Sequence, residues 1–221
     1  MVKITTHHLP PTPLVPNSPY PLLHYHSAFT PTNATIDPIQ VYDRFTAHDW
    51  DVQWIFRYGP TQQSHYHSQA HEAMCVLSGT ATIRFGVADA DLDLLSGDTA
   101  TDASSSFRGV TLQAKAGDVF LLPAGTAHKT HDTSPVAEFK LLTPGDGHGM
   151  MSGDARGALA EVRLDGFTMM GAYPRGSQWD FAVGGEDVGR FERVWGVSRP
   201  DLDPVLGKEG LGRYWREQNK L

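Results

Sequence analysis

Cysteine is almost missing from this chain: Cys75 stands alone among 221 residues. No internal disulfide can form, and the composition suits a reducing compartment. No apolar run approaches the roughly 20 residues that span a bilayer. The opening Met1-Val-Lys-Ile-Thr-Thr-His-His lacks the apolar core of a secretory signal. These gaps together predict a cytoplasmic protein with no membrane partner. Positive charge is also short, with 18 Lys and Arg against 25 Asp and Glu and a formal net charge of −7. That balance argues against a general nucleic-acid partner. Gly145-x-Gly147-x-Gly149 lacks the last glycine of a dinucleotide fingerprint and has no strand–helix–strand pattern around it. Residues 144–158 therefore read as a Gly-rich lid or surface insertion. No internal repeat is evident, which favours one barrel over two.

What is present is enough apolar material for a core, 40% hydrophobic and 10% aromatic residues, so wholesale disorder is excluded. Pro10, Pro11, Pro13, Pro16, Pro19 and Pro21 forbid a helix or central strand early on and predict an extended arm over residues 1–36. Leu22–His26 reads as a strand that adds to a sheet edge, with the edge of a dimer partner as one setting. His24 and His26 share a His-x-His spacing, but no acidic partner or second histidine cluster lies near them in sequence. Asp37 as cap, Pro38 at the first helical position and the stripe Val41, Tyr42, Phe45, Trp50 predict a helix over 37–50. From Val52 the period changes to two, with Val52, Trp54, Phe56 and Tyr58 on one face of a strand. Short strand-like runs then recur at 73–78, 80–85, 110–114 and 119–122 between Gly turns, with 86–109 read as a loop. Many short strands with little helix predict an all-β, antiparallel barrel or jelly roll. The expected organisation is the arm, a barrel over 37–183 with its entry helix, and a C-terminal extension over 184–221.

The chemistry is concentrated at His65-Tyr-His67-Ser-Gln-Ala-His71-Glu72. His65 and His67 project from the same face of a strand. Glu72 is an odd number of residues from His67, so a loop at 68–70 is needed to turn all three inward. Glu72, Met74 and Val76 then share the inner face, and His71, Ala73 and Cys75 the other. Cys75 reads as a small buried hydrophobe. Two imidazoles and a carboxylate begin a transition-metal site that needs a further ligand. His128 can supply one, following Gly117-Asp-Val-Phe-Leu-Leu-Pro123-Ala-Gly125-Thr-Ala.

These two stretches resemble the paired motifs of the cupin superfamily. The first, Gly-x5-His-x-His-x4-Glu-x6-Gly, matches Gly59, His65, His67, Glu72 and Gly79; the second, Gly-x5-Pro-x-Gly-x2-His, matches Gly117, Pro123, Gly125 and His128. Asp132 stands where that pattern often has Asn. A narrower similarity, to bacterial YjlB-type small monocupins, rests on Trp50 and Trp54, His65–Glu72, Pro123–Lys129, Gly171-Ala-Tyr-Pro174 with Trp179-Asp180, and Asp203–Gly207. Against that group the chain carries extra residues near 96–108 and 134–162. The resemblance implies one divalent metal held by His65, His67, Glu72 and His128, with Glu72 also a catalytic base. Fe(II) is the first choice, with Zn, Ni, Mn and Cu as alternatives. It implies a small-molecule substrate and a dioxygenase-type oxidoreductase. A non-redox isomerase, lyase or decarboxylase is the first alternative, and a non-catalytic binding module the second. Phe56, Met74, Val76 and Phe120 are expected pocket walls, and His71 and His131 neighbours of the ligands. A homodimer is expected, with the arm and the Trp195 and Trp215 tail as exchangeable surface.

Overall fold

The computed structural model describes residues 2–95 and 109–216; the proposed insertion at 96–108 lies outside them. The Asp37 side chain accepts from the amide of Ile39 at 2.9 Å and starts α1 (Pro38–Ala47), whose Val41 and Phe45 are fully buried. The helix is shorter than its apolar stripe predicts. Asp49 takes a left-handed φ of 63°, and Trp50 already begins β3 (Trp50–Arg57).

Among the described residues ten strands form two sheets. The larger joins β1 (Lys3–His7), β2 (Leu22–His26), β7 (Val119–Leu122), β4 (Glu72–Ser78), β10 (Thr168–Pro174), β3 and β9 (Lys140–Leu141), in that order. The smaller joins β6 (Val110–Lys115), β5 (Thr80–Phe85) and β8 (His128–Ser134). Every pairing is antiparallel, as the alternation of short strands and Gly turns predicts. Gly117 shows why one motif glycine is needed: its φ is +93°, and a Cβ there would stand 2.2 Å from the Phe29 carbonyl oxygen.

Two expectations are corrected. The arm is not merely extended: Lys3–His7 precedes the first proline and forms an edge strand on β2, which pairs with β7 of its own chain. The tail is likewise used internally. Trp215 is fully buried, stacks on Tyr20 and donates to the carbonyl of Pro21, while Trp195 donates to those of Pro16 and Asn17. The second correction is α2 (Asp89–Leu95), inside the stretch read as loop. Asp91 holds its start by accepting from the Ala88 amide and the Thr12 hydroxyl, contacts that an Asp-rich composition does not announce. Among the described residues no helix is long and apolar enough to cross a membrane.

The inner strands of the larger sheet, β7, β4 and β10, are buried on both faces, so they divide their side chains between two cores. On β4, Met74 and Val76 face the barrel interior with Phe120, Phe85 and Met169, while Ala73, Cys75 and Leu77 pack outward against Val41, Phe45 and Trp215. The alternation expected for this strand holds. Cys75 is buried, and burial first, then the charge of Asp118, pushes its thiol pKa well up, leaving a neutral packing group.

Candidate metal centre

His65 and His128 sit directly opposite each other, with each backbone amide donating to the other's carbonyl at 3.1 and 2.8 Å. Pairing across antiparallel chains brings their rings to 4.3 Å between centroids, and His67 adds a third ring 5.3 and 5.6 Å away. All three are buried, and their ligand atoms lie within 4.8 Å of one another. The Nδ1 atom of His65 contacts the Gln63 carbonyl oxygen, that of His67 the Asp180 carbonyl and that of His128 the Thr126 carbonyl. A carbonyl only accepts, so each Nδ1 carries the hydrogen and each Nε2 is left with a lone pair. Backbone partners thus set the ligand tautomer in all three rings.

Glu72, the first residue of β4, completes the set. Its Oε1 is 3.2 Å from His67 Nε2 and accepts from the Tyr173 hydroxyl at 2.6 Å; its Oε2 is 3.5 Å from His128 Nε2. Oε2 is buried without a hydrogen-bond partner. A carboxylate facing imidazole lone pairs is repulsive unless a cation stands between them. The donor set fits a divalent transition ion. The ionisation behaviour carries the same message. Burial works to raise the Glu72 pKa, yet His67 and His128 bring it down to about 2. Burial likewise opposes charge on His67, but Glu72 raises its pKa above the ordinary imidazole value. Burial, then the neighbouring imidazoles, pushes His65 well down.

The turn that brings Glu72 in is held by one residue. Asp180 accepts from the Ser68 amide and hydroxyl, both at 2.7 Å, and from the Gln69 amide at 3.3 Å, while its carbonyl orients His67. The expected loop at 68–70 is therefore real and pinned.

Residues 59–149, which contain all four of these side chains, match the family model described as Cupin. Over 217 residues, 95% of either chain, the sequence is 27% identical to the uncharacterized protein YjlB of Bacillus subtilis (strain 168). The stretch that carries the centre is thus similar to the cupin family. Among solved structures, it overlaps oxalate decarboxylase of Lactobacillus farciminis at 14% identity and a TM-score of 0.32, covering 59% of this chain and 27% of that one. It overlaps the ribosomal oxygenase YcfD of Escherichia coli at 13% identity and a TM-score of 0.32, covering 71% and 32%. This chain thus spans a third or less of either protein.

The candidate metal centre opens on a cavity of about 110 Å3. Its wall is aromatic: Trp54, Phe56, Tyr58, Phe139, Trp179 and Phe181 line it, and among the described residues no lysine or arginine does. Phe56 is placed as expected. Met74, Val76 and Phe120 are not in the wall; they fill the barrel core behind it. His71 lies outside the centre, as strand alternation requires. Its Nδ1 accepts from the Ala124 amide at 2.9 Å, its Nε2 faces the Ser198 carbonyl at 3.2 Å, and it packs on Trp215. His131 does not join it either. Three residues from His128 on one strand, it points to the opposite face and pairs with Asp132 at 2.8 Å.

Several residues of the centre lie outside the two motifs, although Trp54, Tyr173 and Trp179 fall in the stretches that carry the narrower resemblance. Tyr173 on β10 holds Glu72 and is itself held by the Trp54 indole N–H at 3.1 Å. Residues 134–162 contribute Phe139 to the mouth, while the Gly147 carbonyl accepts from Trp179 and His148 stacks on that indole at 4.1 Å. Tyr173 engages Oε1 and leaves Oε2 free, which presents Glu72 as a one-oxygen ligand. Tyr173→Phe is expected to weaken Zn(II) or Co(II) binding by about 10- to 100-fold with an unchanged melting temperature, as read by competition with a chromophoric chelator. Unchanged affinity would remove Tyr173 from this role.

Proposed function

We propose that this protein is a metal-dependent enzyme of the cupin type acting on a small metabolite, with Fe(II) and dioxygen as its first-choice chemistry. The observation that carries this is a buried three-histidine, one-carboxylate set that faces an aromatic cavity instead of a closed core. When bound, an iron ion would supply open coordination positions for substrate and O2 and the electrons for oxidation. The chain's own residues do the rest. His65, His67 and His128 present oriented Nε2 lone pairs. Glu72 offers Oε2 as ligand and, once released, as a base for a substrate proton. Tyr173 donates to Oε1 and keeps the carboxylate from turning away. The aromatic wall excludes water and offers ring faces to a flat substrate. With no cationic side chain in the wall, any negative charge on the substrate has to sit on the ion. A cavity of about 150 Å3 is enough for benzene, so at about 110 Å3 the bound part of the substrate is small.

A specific contact also supports the non-redox reading. The Tyr173–Glu72 pair is a proton donor and acceptor placed side by side, which an isomerase, lyase or decarboxylase would use. Both readings are tested together. Fe(II)-loaded protein is expected to consume O2 when offered its substrate from a metabolite panel, and His65→Ala to abolish this. Turnover under strict anaerobiosis with Zn or Mn would replace the oxidative reading with the non-redox one. A homodimer is part of the proposal; a solution mass of one chain from sedimentation equilibrium would overturn that part.

A further inference from the structure

The His-x-His at 24 and 26 lacks a partner in its own sequence neighbourhood, but the fold supplies two. The β1–β2 pairing sets Thr5 opposite His24 and His7 opposite Leu22, so that His7 lies diagonally across from His24 on the same face. The turn before β7 brings in Asp118. His7, His24, His26 and Asp118 all line one cavity of about 490 Å3, walled on its other side by β6. It shares no lining residue with the barrel centre.

The polar atoms here are unsatisfied. His24 is only 5% exposed, and its Nε2 has no hydrogen-bond partner, although Asp118 Oδ2 stands 3.4 Å away. His7 Nε2 is also buried and unpartnered. A buried imidazole nitrogen beside a carboxylate without a hydrogen bond is costly unless something else satisfies both. Two ligands on a tetrahedral ion with bonds of about 2.0–2.1 Å stand about 3.3 Å apart, close to the separation found. The Lys115 ammonium and the Ser27 amide meet Asp118 at Oδ1, 3.2 and 2.9 Å away, and Oδ2 takes only the Lys115 amide at 3.3 Å, which leaves it a lone pair for a further partner.

We propose that His7, His24 and Asp118 form a second divalent transition-metal site, of the zinc type, with His26 as a fourth ligand. The carboxylate disfavours an anion, and imidazole nitrogens disfavour calcium or magnesium. The donors are less tightly gathered than those of the barrel triad, the one group among the described residues whose ligand atoms all lie within 4.8 Å of one another. One cause is visible: His26 Nε2 is held by the Thr5 hydroxyl at 2.8 Å. A bound ion draws that ring away from Thr5.

Cobalt(II) titration of the metal-free, full-length chain tests this by stoichiometry and visible absorption. Wild type is expected to take two ions, and His65→Ala/His67→Ala one, with a spectrum of mixed nitrogen and oxygen ligation. His7→Gln, a change on a half-buried edge strand, is expected to weaken the second ion at least tenfold in the otherwise wild-type chain, and His24→Gln to remove it. His8→Gln, on the exposed neighbour, should leave both ions in place. A single ion in wild type that His65→Ala/His67→Ala abolishes would overturn the proposal, whereas a single ion that this double variant keeps would overturn the barrel centre instead. So would a second ion that His8→Gln removes and His7→Gln does not. Thermal melts of each variant separate loss of binding from loss of fold.

Discussion

Gly171→Ala is expected to destabilise the protein by about 3 kcal/mol, at the upper end of what one added core methyl costs, and to weaken metal binding with it. A Cβ at Gly171 would stand 2.1 Å from the Cε2 and Cζ2 atoms of Trp54, inside a ring that is itself buried. No rotamer of alanine relieves that contact, so the indole has to move. Its N–H holds the Tyr173 hydroxyl, and Tyr173 holds Glu72, so displacement reaches the metal ligand in two steps. The space open to the indole is the cavity it lines; entering it softens the stability loss and blocks the site. Urea denaturation and Co(II) affinity should be measured together, with Gly212→Ala as the control, since a Cβ there meets nothing within 4 Å. Wild-type values for both quantities in Gly171→Ala would sink the argument.

The second large effect is on acid stability and belongs to His71. Burial brings its pKa from the ordinary 6.5 down to about 4, with carbonyl contacts from Ser198 and Val197 opposing. The unfolded chain therefore binds this proton between about pH 6.5 and 4 while the folded chain does not, so stability rises with pH across that window. The neutral ring contributes fully above pH 6.5, and on the order of 3 kcal/mol is lost as pH falls toward 4. His71→Asn keeps an acceptor for the Ala124 amide and removes the titrating ring. The difference in unfolding free energy between pH 7 and pH 4, with chelator in every sample to keep the metal ligands free, is expected to shrink in that variant. An equal pH dependence in both proteins would assign the acid sensitivity elsewhere.

The candidate set of His65, His67, Glu72 and His128 was legible in the sequence because its spacing is dictated by geometry. Alternation places His65 and His67 together, a loop must precede Glu72, and Pro123 and Gly125 announce the turn before His128. Tyr173 and Asp180 were not legible in that way. Strand β10 is buried on both faces, so Thr-Met-Met-Gly-Ala-Tyr-Pro shows no polar alternation to say which residues look inward. Asp180 acts through backbone amides of a loop more than a hundred residues away, a relation that no local pattern encodes. Met74, Val76 and Phe120 illustrate the converse error. They face inward as alternation requires, but an inward face is first a core, and only its layer nearest the mouth becomes a wall. His24 and His26 were visible as a pair, and what they lacked came from a neighbouring strand and a distant turn.

The bond from Trp215 to the Pro21 carbonyl, spanning 194 residues, sets an order for how the molecule comes together. During synthesis Leu22, Leu23 and Tyr25 leave the ribosome long before β7, their sheet partner, and longer still before Trp215 and Asp203, which complete their surroundings. Closing such distant contacts is slow, because chain entropy is lost before the contacts return it. The first apolar strand to be made is thus among the last to be covered. Until then it waits as an open template for other chains, and the run of prolines beside it, which cannot extend a sheet, limits how far that template reaches.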